Sequence, residues 1–267
     1  MKEIIVLLIC FSVFSCKSER NLEYDDPDVK IIFLHHSTGN NVYGGKKEIL
    51  SKISKSFEEF TVPKLLAAYN EVNSTKYAIT EQAFPKGNPY PWNNYPYDYY
   101  NIWVKNGDKD YYMEEPTLST LTKEYDLIIF KHCFPSSAIK ENDSISNIDS
   151  DKKTLGNYKL QYTALKEKML TYPKTKFIVW TPAALVESHT KEEDAMRANE
   201  FVNWMKNDWD QDGDNIFVFD FRTLETEGGL YLKPENANSS HDSHPNPIFC
   251  EKAADKFVDT IISVIKK

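Results

Sequence analysis

The stretch Ile31-Ile32-Phe33-Leu34-His35-His36-Ser37-Thr38-Gly39 is a continuous apolar run that stops at two histidines and a hydroxyl. A short run that is apolar at every position is typical of a strand buried on both faces, as in a parallel sheet. The polar residues follow where such a strand would reach the edge of the sheet. Ser37 is therefore predicted to lie at that edge, where it could meet a ligand.

Similar apolar runs recur along the chain and alternate with stretches of helical spacing. This alternation predicts an α/β fold: a three-layer α/β/α sandwich around a mostly parallel sheet of about five strands. Strands are predicted at 30–35, 77–84, 126–131, 176–181 and 215–221, and helices at 47–60, 63–72, 152–170 and 190–205, with a last helix that Asn246 caps and Pro247 opens.

The N-terminus has the features of an export signal. Residues 4–14 form an apolar stretch of signal-peptide length that is too short for a stable membrane anchor. The sequence Val13-Phe14-Ser15-Cys16 resembles the lipobox of bacterial lipoproteins, which implies a lipid on Cys16 and a place in the bacterial cell envelope, on its periplasmic side or at the cell surface. The alternative is an ordinary secretory signal in which Cys16 has no role. We expect a signal peptide at 1–16, a flexible tether at 17–28 and one domain at 29–267.

Charge and cysteine content limit the partners. A formal net charge of -8 argues against a nucleic-acid surface and against binding to anionic lipid, so the only membrane contact expected is the lipid anchor. Two cysteines remain after the signal, Cys133 and Cys250. In a compartment that permits disulfides they are either bonded to each other or two separate buried thiols.

Polar residues follow several of the predicted strands. His35, His36 and Ser37 follow the first strand, His132 and Cys133 follow the third, and the segment 241–244 precedes the last helix. Because ligands of parallel α/β sheets bind beyond the carboxyl ends of the strands, these side chains are expected at one face.

Two motifs carry a resemblance to a known family. His36-Ser37-Thr38-Gly39 and Asp242-Ser243-His244-Pro245-Asn246 resemble the motifs of the SGNH, or GDSL-type, hydrolase superfamily. The resemblance implies a flavodoxin-like SGNH hydrolase fold, with Ser37 as nucleophile and His244 as base. Two departures stand out: His36 replaces the usual acidic residue, and His241 occupies the usual position of the acid, so Asp242 is taken as the group that orients His244.

The residue types suit ester hydrolysis through a covalent intermediate. A serine hydroxyl becomes nucleophilic when a neutral imidazole accepts its proton, and a carboxylate on the other ring nitrogen fixes the tautomer. Ser37, His244 and Asp242 fit these roles. The candidates for the oxyanion donors are the amide of Ser37, and Gly87 and Ser136 by their positions.

The stretch 84–112 is rich in proline and in aromatic residues, and we expect an irregular excursion. Such rings stack well on sugar faces. The substrate-side candidates are Trp92 and Tyr95 from this stretch, together with His36, His132 and His241. An acylated carbohydrate, above all an acetyl ester, is the expected substrate, and no cofactor is expected. The alternative is a self-packed loop whose rings fill a satellite core.

Two other functions remain open. One is a histidine-rich metal site at the same rim, because three imidazoles and a carboxylate bind zinc well. Its candidate ligands are His35, His36, His132, His241, Asp242 and His244. The other is a non-catalytic or decayed surface lipoprotein that binds glycan.

Overall fold

The structure is a computed structural model that describes residues 20–45, 60–91 and 95–267. The predicted signal peptide, Cys16 and Trp92 lie outside these residues, as does the predicted helix at 47–60 except for Phe60. Within the described ranges, no helix is long and apolar enough to cross a membrane.

Strands and helices alternate along the described chain. The strands are β1 Val29–His35, β2 Tyr77–Ala83, β3 Tyr111–Tyr112, β4 Glu115–Pro116, β5 Leu127–Phe130, β6 Lys176–Trp180, β7 Ile216–Phe219, β8 Ala237–Ser239 and β9 Asp242–Pro245. The helices are α1 Ser37–Gly44, α2 Thr61–Asn73, α3 Pro96–Tyr99, α4 Leu118–Glu124, α5 Leu155–Leu170, α6 Glu192–Trp204, α7 Phe221–Thr226 and α8 Pro247–Ile265.

The main sheet has five parallel strands in the order β2-β1-β5-β6-β7. The predicted α/β sandwich with about five parallel strands is confirmed. The strand order reverses at β1, since β2 pairs on one side of it and β5 on the other. The crevice beyond the carboxyl ends of β1 and β5 is therefore where this architecture places a ligand.

The alternation of side chains in β1 explains the three layers. Ile31 and Phe33 pack in one core cluster, whereas Ile32 and Leu34 pack in the other. Successive residues of a strand point to opposite faces, so a run that is apolar at every position has to be covered on both sides. The first cluster lies under α1, α2 and α8, and the second lies under α5 and α6.

The start of α8 is formed as expected. The side chain of Asn246 accepts a hydrogen bond from Phe249 N (2.9 Å), and Pro247 occupies the first turn, where its missing N–H costs nothing. This cap fixes where the hairpin of β8 and β9 ends and α8 begins.

The aromatic stretch is more regular than predicted. Residues 96–105 form α3 and a continuing π-helical turn, with Pro96 at the first helical position. Tyr90, Tyr99 and Trp103 are buried in one core cluster with Phe130, and the rings of Tyr99 and Trp103 pack directly against it. The prediction of an irregular segment is wrong for 96–105. These three rings fill a core and do not present their faces to a sugar.

The segment before β1 contacts the domain. Leu22 forms an antiparallel bridge with Ile79 of β2, with both N···O distances at 2.9 Å, and its side chain packs on the core. The ring of Phe60 lies 5.2 Å from the guanidinium of Arg20, which also bonds to Glu81 and Asn40. The part of the predicted tether from Arg20 onward thus lies along the edge strand of the sheet.

Candidate active site

Ser37 is the first residue of α1, directly beyond β1, and its side chain is exposed. The first amide N–H groups of a helix have no carbonyl partner within the helix and carry partial positive charge. The close packing of α1 on the strand requires a glycine, because a Cβ at Gly39 would lie 2.5 Å from that of His35. The backbone thus presents the Ser37 hydroxyl and N–H groups at the carboxyl end of β1.

His244 and Asp242 form a hydrogen-bonded pair on β9. His244 Nδ1 lies 2.6 Å from Asp242 Oδ1, and the backbone N–H of His244 donates to the same oxygen at 3.0 Å. Asn238 Nδ2 donates to Oδ2 at 2.8 Å. Partial burial works to raise the pKa of Asp242, but the hydrogen bonds from Asn238 and His244 outweigh it and lower the pKa to about 2. The carboxylate is therefore ionised and able to hold Nδ1 as the protonated nitrogen.

One turn after β5 contacts both Ser37 and His244. Cys133 Sγ lies 3.7 Å from Ser37 Oγ, and the ring of Phe134 meets the imidazole of His244 edge-on, with centroids 4.9 Å apart. Helix α1 also packs against β9 and α8. The Ser37 hydroxyl and the His244 imidazole thus contact the same turn, at Cys133 and Phe134, although the two residues are far apart in the sequence.

Two cavities adjoin these side chains. One of about 450 Å³ is lined by Ser37 and His36, and another of about 460 Å³ by Asp242 and His244. Arg20 and Asn40 line both. A larger groove, of about 1140 Å³, runs along the edge strand β7 and includes neither Ser37 nor His244.

The remaining rim histidines differ in their surroundings. His36 is half-buried, its Nε2 lies 2.7 Å from Pro85 O, and burial lowers its pKa. His35 is buried with Nε2 2.9 Å from Glu81 Oε2. His241 is exposed in the turn between β8 and β9.

His132 does not lie on a substrate-facing surface, which corrects the prediction. Its side chain is fully buried among Tyr99, Phe130 and Tyr162, and neither ring nitrogen has a hydrogen-bond partner among the described residues. It follows Phe130 by two positions and therefore points to the same, core-facing side of the strand. Burial, with a smaller contribution from the charge of Lys131, lowers the pKa of His132 to about 3.

This burial predicts a pH dependence of stability. The folded protein resists protonation of His132, whereas the unfolded chain takes up the proton near pH 6.5, so the free energy of unfolding should fall as the pH drops from about 6.5 towards 3. The loss from this residue is about 2 kcal/mol by pH 5. Urea unfolding at pH 7 and pH 5 should therefore show a smaller loss in His132→Phe than in wild type, and equal losses would contradict the buried placement.

Two of the three predicted oxyanion donors, Gly87 and Ser136, do not fit that role in the structure. The N–H groups of Gly87 and Lys86 are engaged by the carboxylate of Glu115. Ser136 is fully buried, and its N–H donates to Cys133 O at 3.0 Å. The Gly87 amide is thus occupied, and both the hydroxyl and the amide of Ser136 are buried, which leaves the amide of the exposed residue Ser37 as the oxyanion candidate.

Lys153 links Tyr95 to the turn that contacts His244. Its ring is half-buried, and the Lys153 ammonium sits 4.8 Å from the ring centroid while donating to Pro135 O at 2.9 Å. Because Pro135 follows Phe134, Tyr95 and Lys153 belong to the same side of the molecule as His244.

The sequence did not predict the role of Asn238, and it left the state of the two cysteines open. Asn238 carries no motif, and only the hairpin register, which pairs Ser239 with Asp242, brings its amide to the carboxylate. Cys133 and Cys250 are separate buried thiols, and burial raises the pKa of Cys250 to about 12.

The predicted metal ligands do not converge. Across residues 20–45, 60–91 and 95–267, no three His, Cys, Asp or Glu side chains are grouped so that they could hold one ion. All six candidates fall in these ranges, and His132 is separated from the others by its burial in the aromatic core.

No protein-family model matches the chain, and no curated protein matches it. Among solved structures it is similar to a family two carbohydrate esterase from Clostridium thermocellum (13% identity, 89% of this chain, 64% of that chain, TM-score 0.43). It is also similar to the acetylxylan esterase Axe2 from Geobacillus stearothermophilus, with 11% identity over 88% of this chain and 94% of that chain and a TM-score of 0.46. A lipase/acylhydrolase from Enterococcus faecalis is similar with 13% identity over 87% of this chain and 95% of that chain and a TM-score of 0.45. The chain thus spans less than two thirds of the first of these. At such identities and TM-scores the likeness carries no argument about activity.

Proposed function

We propose that this protein is a serine esterase that hydrolyses acyl esters, and acetyl esters of carbohydrates in particular. The observation that carries the proposal is the Asp242–His244 hydrogen bond of 2.6 Å at the turn that also contacts the exposed Ser37. A carboxylate on Nδ1 leaves Nε2 as the nitrogen that can accept a proton.

In the proposed reaction, Ser37 Oγ attacks the carbonyl carbon of the ester while His244 Nε2 takes the hydroxyl proton. The negative charge on the carbonyl oxygen is stabilised by the N–H of Ser37 at the start of α1. Collapse of this intermediate breaks the bond to the alcohol, which receives the proton from His244, and leaves an acyl group on Ser37. A water molecule, deprotonated by His244, then releases the acid. In the resting structure Oγ lies against Cys133, and the hydrogen bond to Nε2 forms in the substrate complex.

The carbohydrate part of the proposal is supported by Tyr95. Its half-buried ring is linked to Pro135 through Lys153, and flat rings with a hydroxyl suit stacking on a sugar face. The proposed location is the bacterial cell envelope through a lipid on Cys16, which the lipobox-like sequence supports.

The experiment is turnover by the purified protein of a short-chain aryl ester and of acetylated xylan, with acetate release as the readout. We expect release from both, and faster turnover of the acetyl than of the octanoyl aryl ester. Binding of the glycan without release of acetate above a Ser37→Ala control would favour the alternative of a non-catalytic glycan-binding protein.

A further inference from the structure

A lysine is buried directly behind Ser37. Lys131 follows β5, its backbone N–H pairs with Leu34 O at 3.3 Å, and its side chain is 1% exposed. Lys131 Nζ lies 3.8 Å from Cys133 Sγ, and the same sulfur lies 3.7 Å from Ser37 Oγ. The Cys133 thiol thus contacts both the Lys131 ammonium and the Ser37 hydroxyl.

Such a side chain is costly to bury. Lysine is almost never fully buried unless it is paired, because removing its ammonium group from water carries a large desolvation penalty. Burial lowers the pKa of Lys131, while Cys133 and Glu225 act in the opposite direction. Methionine, of similar volume, would fill the same space without this penalty.

Among the described residues, the carboxyl group that acts on the Lys131 ammonium is that of Glu225. Glu225 is fully buried, its carboxylate accepts from the N–H of Ala184, and it is shared between Lys131 and the buried Arg222. Burial raises the pKa of Glu225 to about 8 against the pull of these donors and charges. Two cationic side chains therefore face one carboxyl group that resists ionisation.

We propose that Lys131, acting through Cys133, supplies positive potential around Ser37 Oγ and stabilises the tetrahedral intermediate of acyl transfer, whose negative charge lies on the ester oxygen next to Oγ. As the bond between Oγ and the carbonyl carbon forms, the proton moves to His244 and the electron pair moves to the carbonyl oxygen. Because Lys131 is itself buried, its charge acts on Ser37 through protein and is screened less than a charge at the surface would be. Lys131 is in this account a positioning residue that does not touch substrate, and its role rests on the proposed function.

The test compares Lys131→Met with Glu225→Gln in the full protein, with kcat and KM measured on the aryl acetate. Removing the positive charge should lower kcat about 10- to 100-fold with little change in KM, less than the 10²- to 10³-fold cost of removing a direct oxyanion donor. Glu225→Gln keeps an acceptor for Ala184 N–H and prevents any ionisation of this buried group beside Lys131, so it should leave kcat at or above the wild-type value.

The different kcat values expected for Lys131→Met and Glu225→Gln distinguish an electrostatic role of Lys131 from a merely structural one. If both variants lose kcat alike, or if Lys131→Met changes only KM or nothing, the proposal is overturned. If Lys131→Met fails to fold, as judged by circular dichroism, a folded Glu225→Gln with reduced kcat is enough to reject it. Failure of the proposed function looks different, because wild type would then show no turnover that depends on Ser37.

Discussion

Ser37→Ala is expected to reduce kcat/KM for the aryl acetate by roughly 10⁴-fold or more, down to the rate left by binding and oxyanion contacts alone. The hydroxyl is the group that forms the covalent acyl intermediate, and an alanine methyl group at the start of α1 cannot replace it. The exposed position of Ser37 and its place at the first turn, outside the core, mean that the fold should survive the change.

Ser136→Ala is the matched control for this variant. Ser136 is a serine of the same rim, but its Oγ is buried and has no hydrogen-bond partner among the described residues. Removing a buried hydroxyl without a partner costs little, so activity should stay within about 2-fold of wild type. Intact mass after treatment with a fluorophosphonate should show one adduct on wild type and on Ser136→Ala and none on Ser37→Ala. Labelling or turnover that persists in Ser37→Ala would refute the assignment of the nucleophile.

The second large effect is expected at the acid. Asp242→Asn should reduce kcat by roughly 10³- to 10⁴-fold, because an amide NH₂ facing Nδ1 favours the tautomer that carries its proton on Nε2, where it cannot act as a base. His244→Ala should be at least as damaging. With a pKa of about 2, the wild-type carboxylate is ionised throughout the neutral range, so the comparison with Asp242→Asn at pH 7 measures the loss of a full negative charge.

Two further variants grade this result. Asn238→Ala removes one of the three hydrogen bonds to the carboxylate and should lower kcat/KM by about 3- to 10-fold, as expected for the net contribution of one typical hydrogen bond when the other two remain. His241→Ala should behave as wild type, since this exposed side chain is not part of the pair. An inactive His241→Ala together with an active Asp242→Asn would show that His241, and not Asp242, orients His244.

The parts of the fold that the sequence could predict are those in which one local pattern decides the outcome. Apolar runs of strand length identified β1, β5 and β6, and Asn246-Pro247 marked the start of α8 because a cap and an N-terminal proline act within one turn. The Asp242–His244 contact is similarly local, two residues apart in one strand.

The errors share a different cause, which is the direction of side chains relative to the core. His132 was placed on the rim because it follows a strand, but its parity with Phe130 turns it inward, while Lys131 and Cys133 face Ser37. Tertiary packing also decided the aromatic stretch, where Trp103 and its neighbours complete a core that no short-range pattern describes. Asn238 depended on hairpin register, which turn chemistry sets and hydrophobic periodicity does not.

The docking of Leu22 on Ile79 bears on how far the protein can reach. Only four peptide units join Cys16 to Arg20, and a fully extended chain of that length spans about 14 Å. If Cys16 carries the lipid, this short segment keeps Arg20, and the two cavities that Arg20 lines, close to the bilayer surface. The esters available to such an enzyme would be those on polymers or lipids lying against that leaflet, and a distant polysaccharide layer would be out of range.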